Sequence, residues 1–223
     1  VSDQDAFQHE NWSHGTSTGD IDNDGDIDIF VSGAFGGRYP SYALINDGDG
    51  QFTYSTDLPG DHGTPFTSAV FASTFADLNN DGLQDLIVGH AAGVPATGVD
   101  ENGNVTFSKT QAGTPAHILF SDPNGGPHKK IELPSDNIAQ LYAESVDVQA
   151  FDADGDGDLD LLFSNYNLGG WYIDGEGVVR WSSEETVDIN GETVPHPSPA
   201  DETYTTRGIQ FFLNDGKGDF TAA

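Results

Sequence analysis

Cysteine and methionine are both absent from the 223 residues. Without Cys there is no disulfide and no thiolate metal site, which leaves the redox compartment open. Without Met the chain reads as one that begins downstream of its own initiator, through processing or excision. Basic residues are scarce, with 7 Lys and Arg against 37 Asp and Glu, for a formal net charge of -30. Phosphate binding needs clusters of Lys and Arg, so this balance argues against nucleic acid and anionic lipid as partners. No apolar run approaches the roughly 18 residues of a membrane-spanning helix, so no membrane insertion is expected.

Hydrophobic residues make up only 35% of the chain, yet aromatics account for 11% and recur inside short apolar segments. That recurrence argues against disorder, the usual companion of high charge. The 28 glycines and 11 prolines imply many turns. No segment carries a 3.6-residue apolar period, whereas "IDIFVSG", "LQDLIVGH" and "DLDLLFSN" are short, branched or aromatic runs bounded by Gly or Asn. The chain is therefore expected to be all-β.

Self-similarity organises the rest. "DIDNDGDIDIFV" (20–31) recurs as "DLNNDGLQDLIV" (77–88) and "DADGDGDLDLLF" (152–163). A second signature follows: "YALINDGDGQFT" (42–53) matches "IQFFLNDGKGDFT" (209–221) and, more weakly, "HILFSDPNGGPHKKI" (117–131). Each unit thus predicts four antiparallel strands, one before the acidic loop, one after it, and two flanking a Gly-rich turn. Four-stranded units repeated in this way describe β-propeller blades, about three of them. Blade-like repeats are placed at 1–60, 61–135 and 136–223, with insertions at about 91–115 and about 165–206. Three blades fall short of the four to eight that close a ring, so the chain is expected either to join further blades of a larger chain or to self-associate.

The aspartate spacing explains why so many like charges stand together. Counting from Asp20, carboxylates fall at positions 1, 3, 5 and 9 (Asp20, Asp22, Asp24, Asp28), with Gly25 at 6. The second loop offers Asp77, Asn79, Asp81 and Asp85, and the third Asp152, Asp154, Asp156 and Asp160. Hard oxygens at 1, 3 and 5, a backbone carbonyl at 7 and a Gly for the bend at 6 make a calcium loop. Position 7 is Asp26, Leu83 or Asp158, a variability that suits use of the carbonyl. An EF-hand is excluded, because position 12 holds Val31, Val88 and Phe163 rather than Glu. About three calcium ions are expected. Magnesium is disfavoured, since it dehydrates reluctantly and seldom accepts an all-protein cage.

The pattern D-x-D/N-x-D-G-x-x-D feeding an apolar strand resembles the FG-GAP repeats of integrin α-chain propellers. The added "NDGxGxFT" turn is similar to the bacterial VCBS/FG-GAP repeats of secreted and surface proteins, and "GAFGG" at 33–37 echoes the signature itself. The resemblance implies calcium held between the first two strands of a blade, in a scaffold for binding or for a fused catalytic domain. Weak extracellular calcium sites would stay mostly empty at cytosolic calcium levels, so an extracellular or cell-surface location is expected.

Ligand-binding candidates fall on the insertions, where Trp171, Tyr172 and Trp181 sit in "WYIDGEGVVRW" and offer stacking surfaces for a carbohydrate or protein ligand. The same residues would equally pack a hairpin against its own blade. No Gly-rich phosphate loop, G-x-S-x-G or H-E-x-x-H occurs, and no acid pair stands out for glycoside hydrolysis, so no catalytic residue is assigned. The alternatives to a binding scaffold are the propeller portion of a secreted polysaccharide lyase or hydrolase, and a self-assembling structural unit.

Overall fold

In a computed structural model the chain is described at residues 13–33, 41–56, 70–90, 96–99, 105–107, 116–123, 128–134, 143–167, 171–173, 179–181, 186–189, 192–195 and 209–223. Those residues form strands, turns and bends, with no helix among them. Three four-stranded antiparallel sheets carry the architecture.

The first sheet runs in simple meander order, β1 (Ser13–Gly19), β2 (Asp28–Gly33), β3 (Tyr42–Asn46) and β4 (Phe52–Ser55). The second uses β5 (Val70–Ala76) and β6 (Asp85–His90), interrupts itself with a hairpin of β7 (Ala96–Val99) and β8 (Val105–Phe107), and resumes with β9 (His117–Phe120) and β10 (Lys129–Glu132). The third uses β11 (Ala143–Phe151) and β12 (Asp160–Asn167), then two hairpins, β13 (Trp171–Ile173) with β14 (Val179–Trp181) and β15 (Thr186–Ile189) with β16 (Glu192–Pro195). It closes with β17 (Ile209–Asn214) and β18 (Phe220–Ala222). The insertions form hairpins between second and third strands, and β12 runs to Asn167, beyond the boundary expected near 165.

The three sheets share one register. Ile29 pairs with Leu44, Leu86 with Leu119, and Leu161 with Phe212, each one residue past the last loop aspartate. Alternation along the strands then sends successive side chains to opposite faces. Phe30 and Ala43 of the first sheet meet Leu86, Val88 and Leu119 of the second. Ile87, Ile118 and Phe120 on the other face of the second sheet meet Val148, Leu161, Phe163 and Phe212 of the third. The leading strands β1, β5 and β11 lie side by side, with Ser17 and Ser73 hydroxyls 2.9 Å apart between the first two. The sheets thus pack face to face around their first strands as propeller-like blades, without closing into a barrel.

Phe163 is fully buried in the seam between the second and third sheets and meets Phe212 edge-on, ring centres 5.9 Å apart at 89°. Truncating it leaves a cavity where both sheets contribute walls. Phe163→Ala is expected to lose about 3–5 kcal/mol of stability, read as a lower denaturation midpoint in urea. An unchanged midpoint would mean that the two sheets do not unfold as one unit.

Candidate metal centre

Each acidic loop joins the first two strands of a sheet, so its ends are fixed by β1–β2, β5–β6 or β11–β12 pairing. Within the loop the backbone wraps around its own carboxylates. Asp20 accepts the N–H of Asp24 on Oδ1 (3.0 Å) and that of Gly25 on Oδ2 (3.0 Å). Asp77 does the same for Asp81 (3.1 Å) and Gly82 (2.8 Å). Asp152 accepts from Gly155 (2.7 Å) and Gly157 (3.2 Å). The fifth position repeats the device: Asp24, Asp81 and Asp156 accept the N–H of Asp26, Leu83 and Asp158, each at 2.9 Å.

Two sharp bends make this wrapping possible. The glycine at position 6 has φ of 98° in Gly25, 87° in Gly82 and 99° in Gly157. Position 4 is also left-handed, at Asn23 (61°), Asn80 (59°) and Gly155 (85°). Asn and Gly are the residues that tolerate this region. The second bend went unread in the sequence, although the Asn/Asn/Gly choice at position 4 was its signal.

The ninth-position aspartates do something different. Asp28, Asp85 and Asp160 are essentially fully buried, with 0%, 0% and 1% exposure. Oδ2 of each accepts the N–H of the loop's second residue, from Ile21 (2.7 Å), Leu78 (2.9 Å) and Ala153 (2.9 Å). Oδ1 accepts an N–H at the end of the third strand, from Asn46 (2.8 Å), Ser121 (2.9 Å) and Asn214 (3.0 Å). Those three residues reply with their side chains: Asn46 and Asn214 donate to the carbonyls of Ile27 (3.2 Å) and Leu159 (3.0 Å), and Ser121 to that of Gln84 (2.6 Å). The acidic loop and the Gly-rich turn are thereby one clasped unit. Asn46 and Asn214, the first residues of the two "NDG" turns, were read in the sequence only as turn formers.

Position 7 joins the same unit through its side chain. The Asp26 and Asp158 carboxylates lie where a Cβ on Gly48 or Gly216 would sit, and both glycines have positive φ, 79° and 72°. Adjacent sheets are also stitched here. Gln84 Oε1 accepts the N–H of Asp20 (3.1 Å), Asn80 Nδ2 donates to Asp158 Oδ1 (2.8 Å), and Asn214 Nδ2 donates to the Leu78 carbonyl (2.7 Å).

Two carboxylate groups converge closely enough to hold a metal ion. Oxygens of Asp20, Asp22 and Asp28 lie within 4.8 Å of one another, and so do those of Asp152, Asp154 and Asp156. In the second loop Asn79 takes the third place, and no such carboxylate trio forms there among the described residues. The crowding has an electrostatic cost. Burial, then the charges of Asp28 and Asp24, push the Asp22 carboxyl above its ordinary range. Asp28 is also raised, chiefly by burial, against the pull of the Asn46 and Ile21 N–H groups. Asp85 is pushed up to about 6, again by burial first, with the Leu78 and Ser121 N–H groups opposing it and Asp81 and Asp77 adding to it. Carboxylates that resist ionisation in this way are what a bound cation would relieve. The prefolded loops and all-oxygen donor set fit a hard divalent cation.

Residues 20–88 match the family model of the FG-GAP-like repeat. The matched stretch takes in the first two acidic loops and the strands between them, as the resemblance in the aspartate spacing had implied. The third loop lies outside that stretch but shares three of its bonds, from the N–H of position 6 to the first aspartate, of position 7 to the fifth and of position 2 to the ninth. No curated protein matches the chain.

Of the ligand-binding candidates, Trp171 pairs in register with Trp181, and Tyr172 with Arg180, across β13 and β14. Their side chains lie outside the described residues, as do His9 and Trp12 of the "HENWSH" segment. His14 stacks on Phe71, ring centres 3.9 Å apart. His90 and His117 are buried, with Nε2 and Nδ1 2.7 Å apart, so one ring donates and the other accepts.

The two kinds of aspartate should respond differently to amidation. Asp28→Asn sets an amide against one of two buried N–H donors and is expected to cost about 1–3 kcal/mol without any metal present. Asp22→Asn removes an exposed, crowded charge and should leave the metal-free stability unchanged or slightly higher. Urea titrations of both variants in EDTA test this; equal losses would contradict the separation of roles.

Proposed function

We propose that this chain is a calcium-stabilised, propeller-type scaffold of an extracellular or cell-surface protein, used to bind a carbohydrate or protein ligand. What carries the reading is the convergence of three carboxylates in the first and third loops on a backbone already folded around them. Calcium would be held by the carboxylates at positions 1, 3 and 5, with the carbonyl at 7 and, in the first loop, the inner oxygen face of Asp28. In the second loop Asp77, Asn79 and Asp81 would serve with the Leu83 carbonyl, a set with less charge and therefore weaker binding. The ion would supply positive charge that neutralises the loop and ties its two ends together.

The magnitudes favour a structural use. Extracellular calcium modules bind with dissociation constants on the order of 10⁻⁴ to 10⁻³ M. In millimolar calcium each site then stabilises the fold by roughly 0.4 to 1.4 kcal/mol. Three such sites are a large share of a total of about 5 to 15 kcal/mol. At cytosolic calcium they would contribute little, which is the argument for an extracellular location.

The outer face of the third sheet supports a further part of the reading, that another blade packs there. Phe30, Ala43 and Ile45 of the first sheet and Ile87, Ile118 and Phe120 of the second each receive the next sheet. Leu162, Phe211 and Leu213 occupy the same register positions in the third and are only half-buried, beside Phe151 and Ile209 at 40% and 57% exposure. Such a face suits either further blades of a larger chain or a second copy.

Thermal melts in calcium and in EGTA, with sedimentation velocity in parallel, test this function. Calcium is expected to raise the midpoint by several degrees, and Asp22→Asn to lose part of that gain. A melt indifferent to calcium would sink the reading. Calcium-dependent dimers would assign the outer face to a second copy, and a calcium-dependent monomer would show that three blades can stand alone.

A further inference from the structure

The two blade seams are stitched differently at the level of the acidic loops. Between the second and third sheets the amide of Asn80, position 4 of the second loop, crosses the seam. Its Nδ2 donates to Asp158 Oδ1 at 2.8 Å and stands 3.5 Å from the Gly216 carbonyl. Asp158 is position 7 of the third loop, 78 residues from Asn80 along the chain. Between the first and second sheets the matching residues are Asn23 and Leu83, and a leucine side chain has nothing to accept an amide N–H. Gln84 makes that stitch instead, taking the N–H of Asp20.

Both ends of the Asn80 contact are held by their own loops. Asn80 has a left-handed φ of 59°, and the next N–H, that of Asp81, donates to Asp77 Oδ1 and Asn79 Oδ1, each at 3.1 Å. The amide is therefore aimed by the same residues that would hold an ion in the second loop. Across the seam the Asp158 N–H donates to Asp156 Oδ1 (2.9 Å), and its carboxylate fills the space that a Cβ on Gly216 would take. With its N–H and its carboxylate both fixed, Asp158 has little freedom left to turn its carbonyl, the group that position 7 would offer to an ion. A second bond ties the same two loops, from Asn214 Nδ2 to the Leu78 carbonyl at 2.7 Å.

Order in one loop thus has a short, rigid path to the other. A second loop closed on an ion would restrict Asn80 and, through it, Asp158, so that the third loop would have less freedom to lose on binding. Linkage makes such an effect mutual. We infer that the second and third loops take calcium as a coupled pair, with Asn80 as the positioning residue that carries the coupling across the blade seam. The inference rests on the calcium reading of the loops and adds that they do not act independently. An exposed hydrogen bond sets the coupling at the low end of its usual range, about fivefold in affinity.

Calcium titrations of the full chain, followed by NMR at the amide signals of Gly25, Gly82 and Gly157, read the three loops separately. Each of those N–H groups donates to its loop's first aspartate. Asn80→Gly removes the amide and keeps the left-handed backbone, as Gly155 does at the same place in the third loop. It is expected to move the Gly157 midpoint to about fivefold higher calcium and to leave the Gly25 midpoint in place. Asn23→Gly, the same change facing Leu83, should leave the Gly82 midpoint in place. Asp154→Asn, which takes a carboxylate from the third loop, should weaken the second site in the parent and not in Asn80→Gly. An unchanged Gly157 midpoint in Asn80→Gly, even with a lower melting temperature in EDTA, would overturn the coupling and leave the bond a structural stitch. Equal losses at all three glycines, or a matching loss at Gly82 in Asn23→Gly, would overturn it as well, since either traces the effect to a loosened backbone. Amide signals that ignore millimolar calcium in the parent would remove the calcium reading and the coupling together.

Discussion

A buried aspartate that accepts two backbone N–H groups is the constraint on which each blade depends. In Asp28, Asp85 and Asp160 one oxygen holds the start of the acidic loop and the other holds the end of the third strand. Burying a carboxylate is costly unless its lone pairs are satisfied. Two donors at 2.7–3.0 Å meet that condition and, in doing so, set the spacing of three strands at once. Because the clasp sits one residue before the Ile29, Leu86 and Leu161 pairs, it also sets which side chains face the neighbouring sheet.

The acidic loop hangs from that clasp and has its own internal logic. Backbone N–H groups turn inward onto the first and fifth carboxylates, so the loop is folded by its own acids. Burial first, and then the charges of neighbouring carboxylates, raise the proton affinity of Asp22 and Asp28. On the calcium reading proposed above, a loop already wrapped around its carboxylates would take a hard cation with little rearrangement. Affinity and stability would then be coupled in the same few residues. The second loop, with Asn79 in place of a carboxylate, has less repulsion to relieve and less charge to offer.

Contacts between blades follow from the same surface. Asn80 reaches Asp158, Asn214 reaches the Leu78 carbonyl, and Gln84 receives the N–H of Asp20, all within or beside the loops. The apolar seams beneath them are nearly dry, with Phe30, Ile87, Phe163 and Phe212 at 2% exposure or less. The loops and the seams are two layers of one interface, polar above and apolar below.

Much of this was legible in the residues themselves. Repeated aspartates at fixed spacing gave away the loops, and short runs of Ile, Leu, Val and Phe bounded by Gly or Asn gave away the strands. These are local signals, because φ preference, strand period and loop-ligand spacing are settled within about a dozen residues. The double duty of Asp28, Asp85 and Asp160 was not legible, since nothing local says that an aspartate is fully buried or that Asn46, Ser121 or Asn214 will return to meet it. By itself the sequence determined an all-β chain of three acidic-loop units; the tertiary structure decided that the ninth-position aspartates are buried to clasp strands, Asp28 while also standing among the first loop's converging carboxylates. Burial and cross-strand partnership depend on residues 18 to 54 positions away, and only packing brings those together.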